Sequence, residues 1–310
     1  MFKRRNILTV IIAILICFTV AGCQSKTSVD KTETTKNTVY PLKVVDSYDR
    51  TVTIEKEPKR VITIAPNIAE TVYALGKGSL MVGRSDYDDY PNEISSVKTV
   101  GQLTNPSIEK IVELKPDVVI ASTHFSKDVT KKLEDLGIKV VVLYGEESFD
   151  GVYNTITKVG EVLNANDKAK TVVDDMKKKV KTVTDKVKTA NKPSVYYVVG
   201  FGKSGDYTSG GDTFIGNMLE MAGGKNAAAD VKGWKYSVEK LVEKNPDILI
   251  CSKNYDSKKG IEATNGYKDL KAVKAGKLIE IDDNLINRQG PRLADGLEAL
   301  AKIIHPELFK

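Results

Sequence analysis

Outside the N-terminal region, the residue types that could do nucleophilic or metal chemistry are few: His124, His305 and Cys251. A bare zinc or manganese site gathers several His and carboxylate ligands, and two histidines so far apart do not supply one. His305 precedes Pro306 near the C-terminus. His124 follows an apolar run in Ser122-Thr123-His124-Phe125, where a residue at a strand end faces a cleft. Cys251 closes the apolar run Ile248-Leu249-Ile250, which suits an inert buried thiol rather than a thiolate. No Ser-His-Asp or Cys-His set points to hydrolysis. Gly200-Phe201-Gly202-Lys203-Ser204-Gly205 fits G-x-G-x-x-G after a strand, with Glu220 twenty residues beyond its first glycine, which is a dinucleotide fingerprint on paper. The next helix, however, does not open at the third glycine: Asp206 to Gly211 intervene, and Asp212 or Thr213 reads as its cap. The chemistry expected is therefore recognition. No catalytic residue, cofactor or resident metal is expected, and a dinucleotide-dependent enzyme is the distant alternative.

Recognition residues stand out better. Ser85-Asp86-Tyr87-Asp88-Asp89-Tyr90-Pro91 offers Tyr87 and Tyr90, and Gly233-Trp234-Lys235-Tyr236-Ser237 offers Tyr236 and the single tryptophan. Aromatic faces with a polar tip suit a large, flat, amphipathic ligand. Arg84, Lys127, Arg288 and Arg292 stand at loop positions where an anionic ligand would need them, although Arg292 in Gly-Pro-Arg-Leu reads as a helix-start residue with a structural partner. The ligand-binding set expected is Tyr87, Tyr90, Trp234, Tyr236, Arg84 and His124.

The elements that must position these residues repeat. Ile108 to Ser122 reads IEKIVELKPDVVIAS and Val238 to Ser252 reads VEKLVEKNPDILICS, with eight of fifteen positions identical. Each unit is an amphipathic helical run, a Pro that stops it, and an apolar run suited to a buried parallel strand. Val61 to Ile64, Val140 to Leu143, Val195 to Val199 and Leu278 to Ile281 are further strands, and Ala69 to Leu75 and Asp128 to Leu136 are helices between them. Ala169, Val172, Met176, Val180, Val183 and Val187 recur at spacings of three and four, the stripe of one long helix. The pattern predicts an α/β fold: two Rossmann-like lobes with parallel-rich sheets joined by one long helix. The expected lobes are residues 40–151 and 193–310, with 152–192 connecting them.

Lys3-Arg4-Arg5 precedes an apolar stretch, Ile7 to Val20, that is short for a spanning helix, and Val20-Ala21-Gly22-Cys23 follows. This is the build of an export signal over residues 1–23. Residues 24–39 are chiefly Ser, Thr and Lys and predict a disordered tether. Basic residues number 47 against 41 acidic, and losing three with the signal leaves 44 against 41, too balanced a chain to argue for nucleic acid.

Val-Ala-Gly-Cys resembles a bacterial lipobox, which implies lipidation of Cys23 and a place on the extracytoplasmic face of the cell membrane. From about Tyr40 to Lys310 the chain resembles the substrate-binding proteins of ABC importers for cobalamin and ferric siderophores, those with a single helical backbone between lobes. The resemblance runs through Pro58-Lys59-Arg60-Val61-Ile62, Ala65-Pro66-Asn67-Ile68-Ala69-Glu70, Ala74-Leu75-Gly76 and Val82-Gly83-Arg84-Ser85. It continues through Asp89-Tyr90-Pro91, the two Pro-Asp units, Thr213-Phe214, Glu220-Met221-Ala222-Gly223-Gly224 and Gly290-Pro291-Arg292, and ends at Gly296-Leu297 and His305-Pro306-Glu307. It implies a metal-chelate ligand, with cobalamin or a related corrinoid, a ferric siderophore and haem all open. It also implies an ABC permease as partner, on which Glu70 and Glu220, one per lobe, would dock.

Overall fold

Continuous apolar runs become strands here because helices cover both faces of each sheet. The computed structural model describes residues 37–310; the expected signal, Cys23 and most of the tether lie outside the described residues. β1 (Leu42–Val45) and β2 (Thr51–Ile54) form an antiparallel hairpin. The first lobe follows as β3 (Val61–Ile64), α1 (Pro66–Ala74), β4 (Met81–Gly83), α2 (Ile108–Glu113), β5 (Val118–Ala121), α3 (Lys127–Asp135) and β6 (Val140–Val142). Its sheet is parallel, in the order β4-β3-β5-β6. Every residue of β3, β5 and β6 is buried.

Two helices leave this lobe, α4 (Phe149–Val162) and α5 (Asn166–Val187). They pack closely because residue 160 is glycine: a Cβ there would stand 2.6 Å from the Cβ of Ala169. The stripe read from the sequence lies on α5, which buries Ala169, Val173, Met176, Val183 and Val187. Full burial of a Val or Met side chain is worth about 1.5–3 kcal/mol, so this face holds the helix along the molecule.

The second lobe contains β7 (Ser194–Val198), α6 (Phe214–Met221), β8 (Lys225–Asn226), α7 (Val238–Lys244), β9 (Ile248–Ser252), α8 (Ser257–Ala263), a single helical turn at Lys271–Lys274, β10 (Leu278–Ile281), α9 (Asn284–Asn287) and α10 (Leu293–Ile304). Its sheet is also parallel, in the order β10-β9-β7-β8. The two lobes are Rossmann-like, and α10 packs back on α5.

The duplicated units are α2-β5 and α7-β9. Ser107 and Ser237 cap the two helices by accepting from the backbone N–H of Lys110 and Lys240. The chain turns at Lys115 and Asn245, both left-handed at φ 46° and 42°, so the turn residue just before the Pro stops each helix together with it. The following aspartates pin the neighbouring strand: Asp117 accepts from Lys59 and Arg60 N–H, and Asp247 from Ser194 N–H. That shared task explains why Pro-Asp recurs. The glycine-rich segment opens no helix of ordinary length: a short turn spans Gly202–Ser204, and Thr213 caps α6. Cys251 is fully buried, and loss of solvent pushes its thiol up to about 12. His305 is also buried, its Nε2 3.0 Å from the Gly223 carbonyl.

Candidate ligand-binding cleft

The carboxyl ends of the strands in both lobes meet at a cavity of about 470 Å³. Loops beyond strand ends are where open α/β sheets bind ligands. The first lobe contributes Asn67 after β3, His124 after β5 and Tyr144 after β6; the second contributes Phe214, Trp234 and Asn287. Asn67 joins the two sides, its amide donating to Ser122 Oγ and to the Gln289 carbonyl, each at 3.3 Å.

The hairpin turn between β1 and β2 braces two of these loops. Ser47 Oγ donates to the Tyr144 carbonyl at 2.7 Å and accepts from Tyr144 N–H at 2.9 Å. Tyr144 O–H donates back to the Ser47 carbonyl at 3.1 Å, and Tyr48 O–H donates to the Phe125 carbonyl. Beside that anchor His124 is exposed and left-handed at φ 68°, a conformation in which histidine is over-represented among non-glycine residues. Trp234 is 41% exposed, so its face is open to a ligand. Its segment is held from behind: Thr208 N–H donates to the Trp234 carbonyl at 2.7 Å, and Gly233 N–H to Asp212 at 2.6 Å.

Arg288 is the one Lys or Arg in the cavity lining among the described residues, and it is already paired. Its Nη1 donates to Glu70 at 3.0 Å and to Asp89 at 2.6 Å. Arg292 grips the same Glu70 with two bonds, Nε at 2.9 Å and Nη2 at 2.6 Å, and lies 3.8 Å from the centre of the Tyr90 ring. Glu70, Asp89 and Tyr90 come from the first lobe and both arginines from the second, so the cluster ties the lobes together across the cleft. The hydrogen bond from Arg288 holds the Asp89 carboxyl below the usual carboxylate range.

The model of periplasmic binding proteins matches residues 61–285. The chain belongs to the periplasmic binding protein family. It is 37% identical over 308 residues, 96% of both chains, to an uncharacterized ABC transporter substrate-binding lipoprotein of Bacillus subtilis. It is 28% identical over 279 residues to a cobalamin-binding protein of Halobacterium salinarum, covering 86% of this chain and 74% of that one. A solved structure described as a possible iron-binding (periplasmic solute-binding) protein from Staphylococcus epidermidis superposes with a TM-score of 0.71 at 34% identity, over 81% of this chain and all of that one.

For a periplasmic binding protein the cavity between the lobes is the place to compare with the sequence. His124 and Trp234 line it. Tyr236 does not: it is 6% exposed and packs in the second-lobe core, edge-on to Tyr196 at 5.5 Å. Arg84 is spent on backbone carbonyls, those of Val97, Ser85 and Asp88 at 3.0, 3.1 and 2.9 Å, and serves as a loop brace. Tyr87 and Tyr90 are exposed but outside the lining, Tyr90 being stacked on Arg292. Lys127 sits over the Tyr48 ring at 5.1 Å. Glu70, expected to dock on a permease, has a side chain 2% exposed and enclosed by two arginines. Glu220 is exposed, one oxygen accepting from Asn226 N–H at 2.8 Å. Tyr144, Asn67, Asn287 and Phe214 were missed by pattern alone; their place just past strand ends or at helix termini was the available signal.

Proposed function

We propose that this chain is the substrate-binding lipoprotein of an ABC importer. It is anchored outside the cytoplasm through Cys23, takes up cobalamin or a related corrinoid, and hands it to a permease, with Glu220 as one docking carboxylate. The observation that carries the ligand is the character of the cleft: aromatic and amide side chains from both lobes, with one guanidinium whose charge is already matched and one carboxylate, that of Glu147. A corrin ring with amide arms wants flat apolar faces and neutral hydrogen-bond partners. A ferric catecholate, a trianion, wants unpaired arginines and lysines. The name of the Bacillus relative agrees with the lipoprotein role, and that of the Halobacterium relative with cobalamin as ligand.

Haem or another ferric chelate is the second reading. It is favoured by His124, whose exposed imidazole stands at the cleft and suits an axial position on a metal. Fluorescence titration of the purified protein with cyanocobalamin, haem and a panel of ferric siderophores tests both. Trp234, the single tryptophan, should be quenched by the absorbing ligand, and Trp234→Ala should weaken corrinoid binding by about 1–3 kcal/mol. No corrinoid binding at micromolar concentration, with tight binding of haem or a siderophore, overturns the first reading in favour of the second.

A further inference from the structure

Among the described residues the lining of the cleft carries one exposed carboxylate, Glu147, and one cationic side chain, Arg288. The Arg288 side chain is 13% exposed, and Nη1 is shared between Glu70 and Asp89. Its Nε and Nη2 make no hydrogen bond among the described residues. Glu70 is in turn shared with Arg292. Two guanidiniums and two carboxylates thus form a cluster without net charge, and Asp89, contributed by the opposite lobe, completes the balance.

We infer that Asp89 and Glu70 set the charge preference of the cleft: they hold Arg288 in place and cancel its charge, so the site selects a ligand edge of neutral hydrogen-bond acceptors over one of carboxylates. This rests on the reading that the cleft takes a metal chelate. A guanidinium with free N–H groups donates well to an amide carbonyl, which brings no charge with it. A carboxylate arriving at the same group meets the field of Asp89 and Glu70, and in a partly desolvated site like charges repel strongly. To use Arg288 fully it would have to displace Asp89, and so give up a bond of 2.6 Å between the lobes.

Asp89 is the residue to change, because its side chain is 63% exposed whereas that of Glu70 is 2% exposed. Asp89→Asn keeps an oxygen that can accept from Arg288 and removes only the charge. Two matched pairs of probes report the preference: cyanocobalamin against its derivative with one peripheral amide hydrolysed to a carboxylate, and haem dimethyl ester against haem. Dissociation constants would be measured for the wild type, Asp89→Asn, Arg288→Met and the double variant. Glu113→Gln, an exposed acid at the opposite end of the β5 unit, controls for overall charge, and Glu147→Gln for the carboxylate in the lining itself.

Asp89→Asn should shift the preference toward the carboxylate member of each pair by about three- to tenfold. The same change in the Arg288→Met background should shift it less than about twofold, since the two residues then no longer couple. An unchanged preference in Asp89→Asn, an equal shift without Arg288, or an equal shift in Glu113→Gln or Glu147→Gln overturns the inference. If neither corrinoid binds, the corrinoid reading falls and the haem pair still decides the charge preference. If neither pair binds, both fall.

Discussion

Removing the Glu70 carboxylate should destabilise the whole protein, and its size can be worked from the contacts. Glu70 accepts three hydrogen bonds from two arginines, with its own side chain 2% exposed and theirs 13% and 18%. Glu70→Ala leaves Arg292 without its carboxylate and Arg288 with Asp89 alone, both largely out of water. Breaking a buried ion pair in this way costs about 3–5 kcal/mol. At roughly 2–4 °C per kcal/mol for a body of this size, the thermal midpoint should fall by about 6–20 °C. The comparison is the exposed pair Lys131–Asp135 on α3, whose members are 75% and 62% exposed; Lys131→Ala should cost less than about 1 kcal/mol. Scanning calorimetry of the ligand-free protein reads both. Glu70→Met combined with Arg292→Met should recover much of the loss, because an apolar pair has no charge to strand. A cost for Glu70→Ala no greater than that of the exposed pair, or a double variant worse than the sum of its parts, would refute the argument.

Further outcomes follow from the same contacts. Burial pushes the Asp88 carboxyl up to about 6 against the bonds from Ser85 and Thr63; a group raised in the native state stabilises below its unfolded pKa and loses that contribution as pH rises through the native value. Between pH 4 and pH 7 the wild type should therefore lose about 1–3 kcal/mol relative to Asp88→Asn, and parallel urea-midpoint curves for the two would contradict it. The lobes, tied by α5 and by the Glu70–Arg292 and Asp89–Arg288 contacts, should close little on binding; X-ray scattering should give nearly the same radius of gyration with and without ligand, and a clear compaction would refute this. Cys23→Ala should release the protein from membranes or leave an unprocessed precursor, as fractionation and mass spectrometry would read; a processed, membrane-held variant would overturn the anchor. Glu220→Arg should lower transport while ligand affinity stays within about twofold, with the effect weakening in high salt; normal uptake would remove Glu220 from the docking surface.

The fold was legible in the sequence where burial forces a pattern. A parallel strand covered on both faces must be apolar at every position, so VVIA and ILIC announce β5 and β9. A helix with one buried stripe must show it at spacings of three and four, so α5 was visible from its valines. The duplicated Pro-Asp added a signal of its own, since Asp117 and Asp247 do the same work on β3 and β7.

The cleft was less legible, because its residues are chosen by partners that are remote in sequence. Glu70 sits in an amphipathic helix where a carboxylate ordinarily faces water, and the arginines that enclose it lie 218 and 222 residues away. No local pattern distinguishes such a carboxylate from a surface one. Arg84 misled for the opposite reason: its partners are carbonyls within its own loop, and backbone oxygens leave no trace in residue identity. Trp234 and Tyr236 share one short segment, yet the chain passes from the cleft mouth into the core between them, which depends on its antiparallel pairing with Tyr207. Side chains that touch a ligand are thus set by where strand ends converge, and the charge they present is set by residues that never touch it. That is why Asp89, outside the lining and largely exposed, can be expected to govern what Arg288 selects.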